Sequence, residues 1–143
     1  MAIDALLARS ADCSSATTFT LTGPKNYGDE AADYVDEIDL HGRLPFDQTF
    51  ALVANVEGPV GGNGTVIVES DDAADFPSDR DEYTFTNVIN TTSGRNGDGT
   101  GPHLCGYITG PLQRFIRFKV TASADIGVVE VFLTRDWPTG DLA

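Results

Sequence analysis

The chain has 143 residues, 41% of them hydrophobic, and its 22 acidic side chains outnumber nine basic ones for a formal net charge of −13. That length makes one domain and buries roughly two-thirds of the surface an unfolded chain exposes, so folding does not depend on disulfide or metal staples. The charge argues against gripping nucleic acid by its phosphates or adsorbing to anionic membranes, and favours a soluble surface or a basic protein partner.

Cys13 and Cys105 form at most one bridge and sit in no CxxC spacing, so they read as two free, partly buried thiols in a reducing compartment. The opening MAIDALLARSAD has Asp4 inside its apolar run and Arg9 after it, the wrong charge order for a secretory signal. No apolar run reaches the length of a bilayer span. The expectation is a soluble product that stays in the cell that makes it.

Residues 2–9 make either two helical turns, with Ile3, Leu6 and Leu7 on one side, or a frayed terminus. Residues 1–16 are therefore read as an arm, and 17–143 as the folded domain. Residues 17–22 (TTFTLT) alternate Phe19 and Leu21 with threonines, a strand ended by Gly23 and Pro24. A loop follows, then a short strand near residues 37–40.

Residues 45–56 are apolar on nearly both faces, with Phe50, Leu52, Ala54 and Val56 on one side and Ala51 and Val53 on the other, the mark of a central strand. The glycine cluster of 57–64 reads as a hairpin turn, and residues 65–70 (TVIVES) as the returning strand. Residues 71–82 form an acidic loop whose only apolar point is Phe76-Pro77. Residues 83–89 alternate again, 90–102 are a glycine-rich loop, and 103–109 a short strand.

The best-defined stretch is 113–137. Ile116, Phe118 and Val120 point one way while Phe115, Arg117 and Lys119 point the other, a turn follows at 122–127, and 128–134 returns as a β-branched run. It reads as a hairpin. The whole gives about eight short strands with no internal helix, hence an all-β fold, an antiparallel β-sandwich of jelly-roll type.

Chemistry-bearing constellations are sparse. His41 and His103 are too few and too far apart for a cupin-type metal site and read as loop-edge histidines. No GxSxG occurs, and the glycines near 97–101 lack the strand and helix of a phosphate cradle. Asp71, Asp72, Asp75, Asp79 and Asp81 do not follow the DxDxDG calcium pattern and read as a solvated loop. Arg114, Arg117 and Lys119, three of the nine positive charges, read with Phe115 as either a solvated outer face, the simpler choice, or a small basic and aromatic binding patch. Trp137 either caps the sandwich or anchors an interface. Catalytic residues, cofactors and metal ligands are not expected.

Three landmarks fall in order: IDALLARSAD, TFALVANVEGPVGGNGTVIVESDDAADF and QRFIRFKVTASADIGVVEVFLTRD. The chain resembles the jelly-roll capsid cement (decoration) proteins of tailed phages. There an arm with an Asp-small-Leu-Leu motif precedes a strand pair ending in Ser-Asp and then Phe, and an Arg-(aromatic or Ile)-Arg hairpin, a glycine and a last strand close the chain. The matching positions are Asp4 to Leu7, residues 65–76 and residues 114–136. The glycine-rich loop of 90–102 and an acidic insert at 27–39 depart from that pattern.

The resemblance implies a non-enzymatic virion protein, made in the host cytoplasm, that binds the outside of an expanded icosahedral head. It would bridge major capsid subunits against the pressure of packaged DNA and assemble as a homodimer or homotrimer, touching neither nucleic acid nor membrane. Ile3, Leu6, Leu7, Phe76 and Trp137 are the expected capsid or oligomer contacts. Competing readings are a sugar-binding jelly-roll module with an exposed aromatic platform, a small cupin-like enzyme, and a head–tail connector or tail protein.

Overall fold

The computed structural model describes residues 8–24, 34–40, 49–109 and 112–134. Where apolar residues alternate, strands form: β1 (Arg9–Cys13), β2 (Thr18–Thr20), β3 (Gly23–Pro24), β4 (Tyr34–Val35) and β5 (Ile38–Asp39) are short. The frame is β6 (Thr49–Val56), β7 (Gly64–Asp71), β8 (Asp81–Ile89), β9 (Gly101–Thr109), β10 (Phe115–Ala122) and β11 (Gly127–Thr134). There is no helix among the described residues.

One sheet has the order β1-β11-β6-β9; the other has β2-β10-β7-β8, with β5 also pairing with β10, and β3 and β4 pair with each other. All the pairings are antiparallel. Without β3, β4 and β5, this is the strand order of a jelly roll. The expected β-sandwich is the fold.

Between the sheets lie Phe50, Leu52, Ala54 and Val56 of β6, Val129 and Val131 of β11, Val66 and Val68 of β7, and Ile116, Phe118 and Val120 of β10. The opposite face of β6 is covered as well: Ala51 and Val53 join Phe132 and Ala8 in a second apolar cluster. The central place of β6 between β11 and β9 pairs both its edges, while Ala8, Phe132 and Leu104 packing on Ala51 and Val53 bury its second face.

Two expectations are corrected. Residues 57–64 do not close a hairpin, because β6 and β7 belong to different sheets; nor do β10 and β11 pair, since β10 lies beside β7 and β11 beside β6. Each connection instead crosses the roughly 10 Å between packed sheets. The sequence pattern identifies which face of a strand is buried, and both strands of an inter-sheet arch bury theirs, just as a hairpin's would. Among the frame strands, the chain-consecutive pair that shares a sheet is β7 and β8, joined through the acidic loop.

The arm expected at 1–16 contains a strand, because Arg9–Cys13 pairs along β11 from Val131 to Gly127. Residues 2–7 of the expected helical turns lie outside the described residues. Arg9 itself is in the sheet, 1% exposed.

The two crossings fasten to each other. The Gly61 N–H donates to the Asp125 carbonyl (2.8 Å) and the Ser123 N–H to the Asn63 carbonyl (2.9 Å). Gly127 ends this turn at φ 80°. A Cβ there would lie 2.6 Å from the Gly58 carbonyl oxygen. Gly127→Ala is expected to destabilise the protein by about 1–3 kcal/mol, because an L side chain is disfavoured at that φ and meets backbone that has no room to give. Urea unfolding of the variant measures it, and an unchanged midpoint would show that the two crossings adjust freely.

Candidate functional site

The most unusual chemistry is on the outer face of the second sheet. The β7 sequence GTVIVESD puts Glu69 opposite Val66 and Val68, on the face that alternation assigns to solvent, yet it is 1% exposed. Its register neighbours are Arg117 of β10 and Glu82 of β8. Three cations converge on the one carboxylate. Arg117 donates from Nε (2.7 Å) and approaches from a second nitrogen (2.6 Å), Arg80 donates to the other carboxylate oxygen, and the Lys119 ammonium lies 3.5 Å away.

The network extends outward. Arg80 also meets Glu82 at 2.9 Å, Arg117 reaches Asp36 at 3.4 Å, and Arg114 grips Asp39 with two hydrogen bonds of 2.9 Å. Burial pushes the Glu69 carboxyl up, but the hydrogen bonds from Arg117 and Arg80 outweigh it and hold the group below the usual carboxylate range. Glu37 goes the other way: burial and a hydrogen bond shared with Asp36 raise it. Arg9 anchors the same segment from the first sheet, donating 2.9 Å to the Glu37 carbonyl.

Phe76 belongs to this cluster. Its ring lies 4.3 Å beneath the Arg117 guanidinium and the residue is 4% exposed, so the acidic loop turns its one aromatic side chain inward rather than presenting it to a partner. The backbone there sits at φ 47°, a strained conformation for a bulky residue, which the stacking and burial of the ring offset. Around it Asp75, Pro77, Ser78 and Asp79 are exposed, while Ala73 and Arg80 are half-buried.

Arg117 and Lys119 are therefore corrected from a solvated outer face to a desolvated ion cluster, their side chains 16% and 23% exposed. The signal missed was Glu69 itself: a lone carboxylate amid β-branched residues, in register with basic residues on another strand. No single strand's pattern shows that pairing. Of the other expected contacts, Ile3, Leu6, Leu7 and Trp137 lie outside the described residues, as does His41.

His103, expected at a loop edge, is instead 3% exposed within β9. Its Nδ1 is 2.8 Å from the Gly101 carbonyl and its Nε2 is 2.7 Å from the Ser93 hydroxyl. Burial lowers its pKa, so the ring is neutral near pH 7. A carbonyl only accepts, which puts the proton on Nδ1 and makes Nε2 the acceptor from Ser93. The ring thus ties the glycine-rich loop to β9. The thiols are free, Cys13 buried and Cys105 half-buried, and burial pushes them to about 11 and about 12, which keeps them protonated and unreactive near neutrality.

A comparison of the sequence with protein-family models and with curated proteins finds no match.

Two measurements probe these groups. Glu69→Gln leaves three cations facing one another in a desolvated site, and is expected to cost about 3–5 kcal/mol in urea unfolding; a loss well below 1 kcal/mol would mean that water enters and screens them. His103 holds fewer protons in the folded than in the unfolded state, so its contribution is complete above its ordinary pKa of 6.5 and is lost as pH falls through its lowered value. His103→Gln is therefore expected to flatten the decline of stability between neutral and mildly acidic pH, where Glu69, titrating lower, still contributes fully. An identical slope in wild type and variant would assign the dependence elsewhere.

Proposed function

We propose that this protein is a structural virion component that binds the outer surface of an icosahedral tailed-phage head and cements neighbouring major capsid subunits. The observation that carries the reading is the ordered set of three sequence landmarks. Their positions in the fold support it: the first runs into β1, the second holds β6 and β7, and the third holds β10 and β11, so each long landmark contributes one strand to each sheet.

The physical character of the domain is compatible with that role. A sandwich whose outer face is held by the Glu69 ion cluster suits a shell under outward pressure. Its net charge of −13 suits a position outside the shell, away from DNA. Many copies on one lattice, as dimers or trimers, gain by multivalency even where each contact is weak. The function in this reading is binding rather than catalysis.

The test is to add purified protein to expanded heads that lack it and to sediment them. Bound protein is expected to saturate in fixed proportion to the major capsid protein; no binding by folded protein would overturn the reading. A variant lacking residues 1–7 tests the arm with Ile3, Leu6 and Leu7. The truncation stops before Ala8 and Arg9, which are 9% and 1% exposed and belong to the folded domain. It is expected to keep the wild-type melting temperature and to attach more weakly, and unchanged affinity would make the arm a spectator.

A further inference from the structure

We propose that the cleft between the glycine-rich loop and β9 is a binding site for a small, singly charged carboxylate of monosaccharide size, a sugar acid, with Arg95 as its anchor. The cleft has a volume of about 310 Å³ and sits where the chain passes from β8 to β9. Ser93, Arg95 and His103 supply its polar wall, and Val88, Pro102 and Leu104 its apolar one.

Arg95 stands apart from the other described basic residues. Arg80, Arg114, Arg117 and Lys119 each meet a carboxylate, and Arg9 is held by carbonyl oxygens. Arg95 makes no hydrogen bond or ion pair among the described residues, although the chain has 22 acidic side chains. The carboxylate nearest to it along the loop, Asp98, is turned to the Thr100 hydroxyl and N–H, which hold it ionised. An exposed guanidinium beside a cleft is thus left with both edges of its fork free for a planar anion.

The walls are preformed. Ser93 and His103 satisfy each other, the Asn90 N–H donates to the Ser93 hydroxyl at 2.8 Å, and the Gly99 N–H donates to the Ser93 carbonyl at 2.9 Å. Gly94 adds to the fit, since a Cβ there would lie 2.8 Å from the imidazole Cε1. The loop is pinned against β9 before any ligand arrives, which lowers the ordering cost of binding.

Size and charge narrow the class. A cleft near the lower limit of ordinary ligand pockets suits a single ring, and the apolar wall suits the C–H face of a pyranose. A phosphate brings a second charge against the field of a −13 molecule, whereas a carboxylate brings one, and local screening over about 8 Å confines that penalty. This inference does not rest on the capsid reading and stands or falls separately.

The experiment is an amide NMR titration of the full chain with D-glucuronate at physiological ionic strength, with D-glucose and acetate as comparators and Arg95→Gln as the variant. Saturable shifts confined to residues 93–95 and 102–104, with Kd in the millimolar range, are expected for glucuronate. Glucose and acetate should each bind at least about tenfold more weakly, as should glucuronate to Arg95→Gln, which corresponds to about 1.4 kcal/mol. Absence of a saturable shift, equal binding by the variant, or comparators as tight as glucuronate would each overturn the proposal. Because Arg95 is exposed and makes no internal bond, its replacement leaves the fold intact, and the unperturbed remainder of the spectrum checks this.

Discussion

A buried carboxylate is the constraint on which the second sheet's outer face depends. Glu69 has lost its water, and only the cations around it make that tolerable: Arg117 from β10, Arg80 from the acidic loop and Lys119 one turn of the pleat away. To deliver Arg80 the loop must fold back over the sheet, and in doing so it carries Phe76 beneath Arg117 at the expense of a left-handed backbone. To complete the shell around Arg117, the 36–39 segment lies alongside with Asp36, and Arg114 grips Asp39. One desolvated charge thus organises a loop, a short strand and two frame strands.

The other end of the sandwich is held by different means. There the connections are rich in glycine, and backbone hydrogen bonds do the fastening, from Gly61 to Asp125, from Ser123 to Asn63 and from Gly99 to Ser93. Close approaches such as Gly127 against the Gly58 carbonyl require the missing Cβ. His103 adds one neutral ring whose two nitrogens are both satisfied internally. An ion-clamped end and a glycine-rich, backbone-laced end give the domain two chemically distinct surfaces.

What local pattern reports is burial, and it did so accurately where one face or two faces were apolar. The alternation of Ile116, Phe118 and Val120 identified a strand with one core face, and the doubly apolar β6 identified its own central position. The same pattern misled about neighbours. β6 and β7, like β10 and β11, looked like hairpins because alternation is blind to whether the next strand hydrogen-bonds alongside or packs across the core. β1 went unread because RSADC is short and polar, and its place comes from pairing with β11 rather than from any propensity of its own.

The amino-acid sequence alone determined the all-β class, the sandwich, the central strand and the acidic surface, because each follows from residue type and period within one segment. Only the tertiary structure decided the strand order, the burial of Glu69, Phe76 and His103, and the isolation of Arg95 from every described carboxylate. Those facts depend on groups far apart in the chain: Glu69 and Arg117 meet across a sheet, and His103 meets Ser93 across a loop. A charge written on one strand is neutralised by residues on others. The physical reason for the division is that hydrophobic burial acts through local periodicity, whereas ion pairing and hydrogen-bond satisfaction act through register, which no single segment encodes.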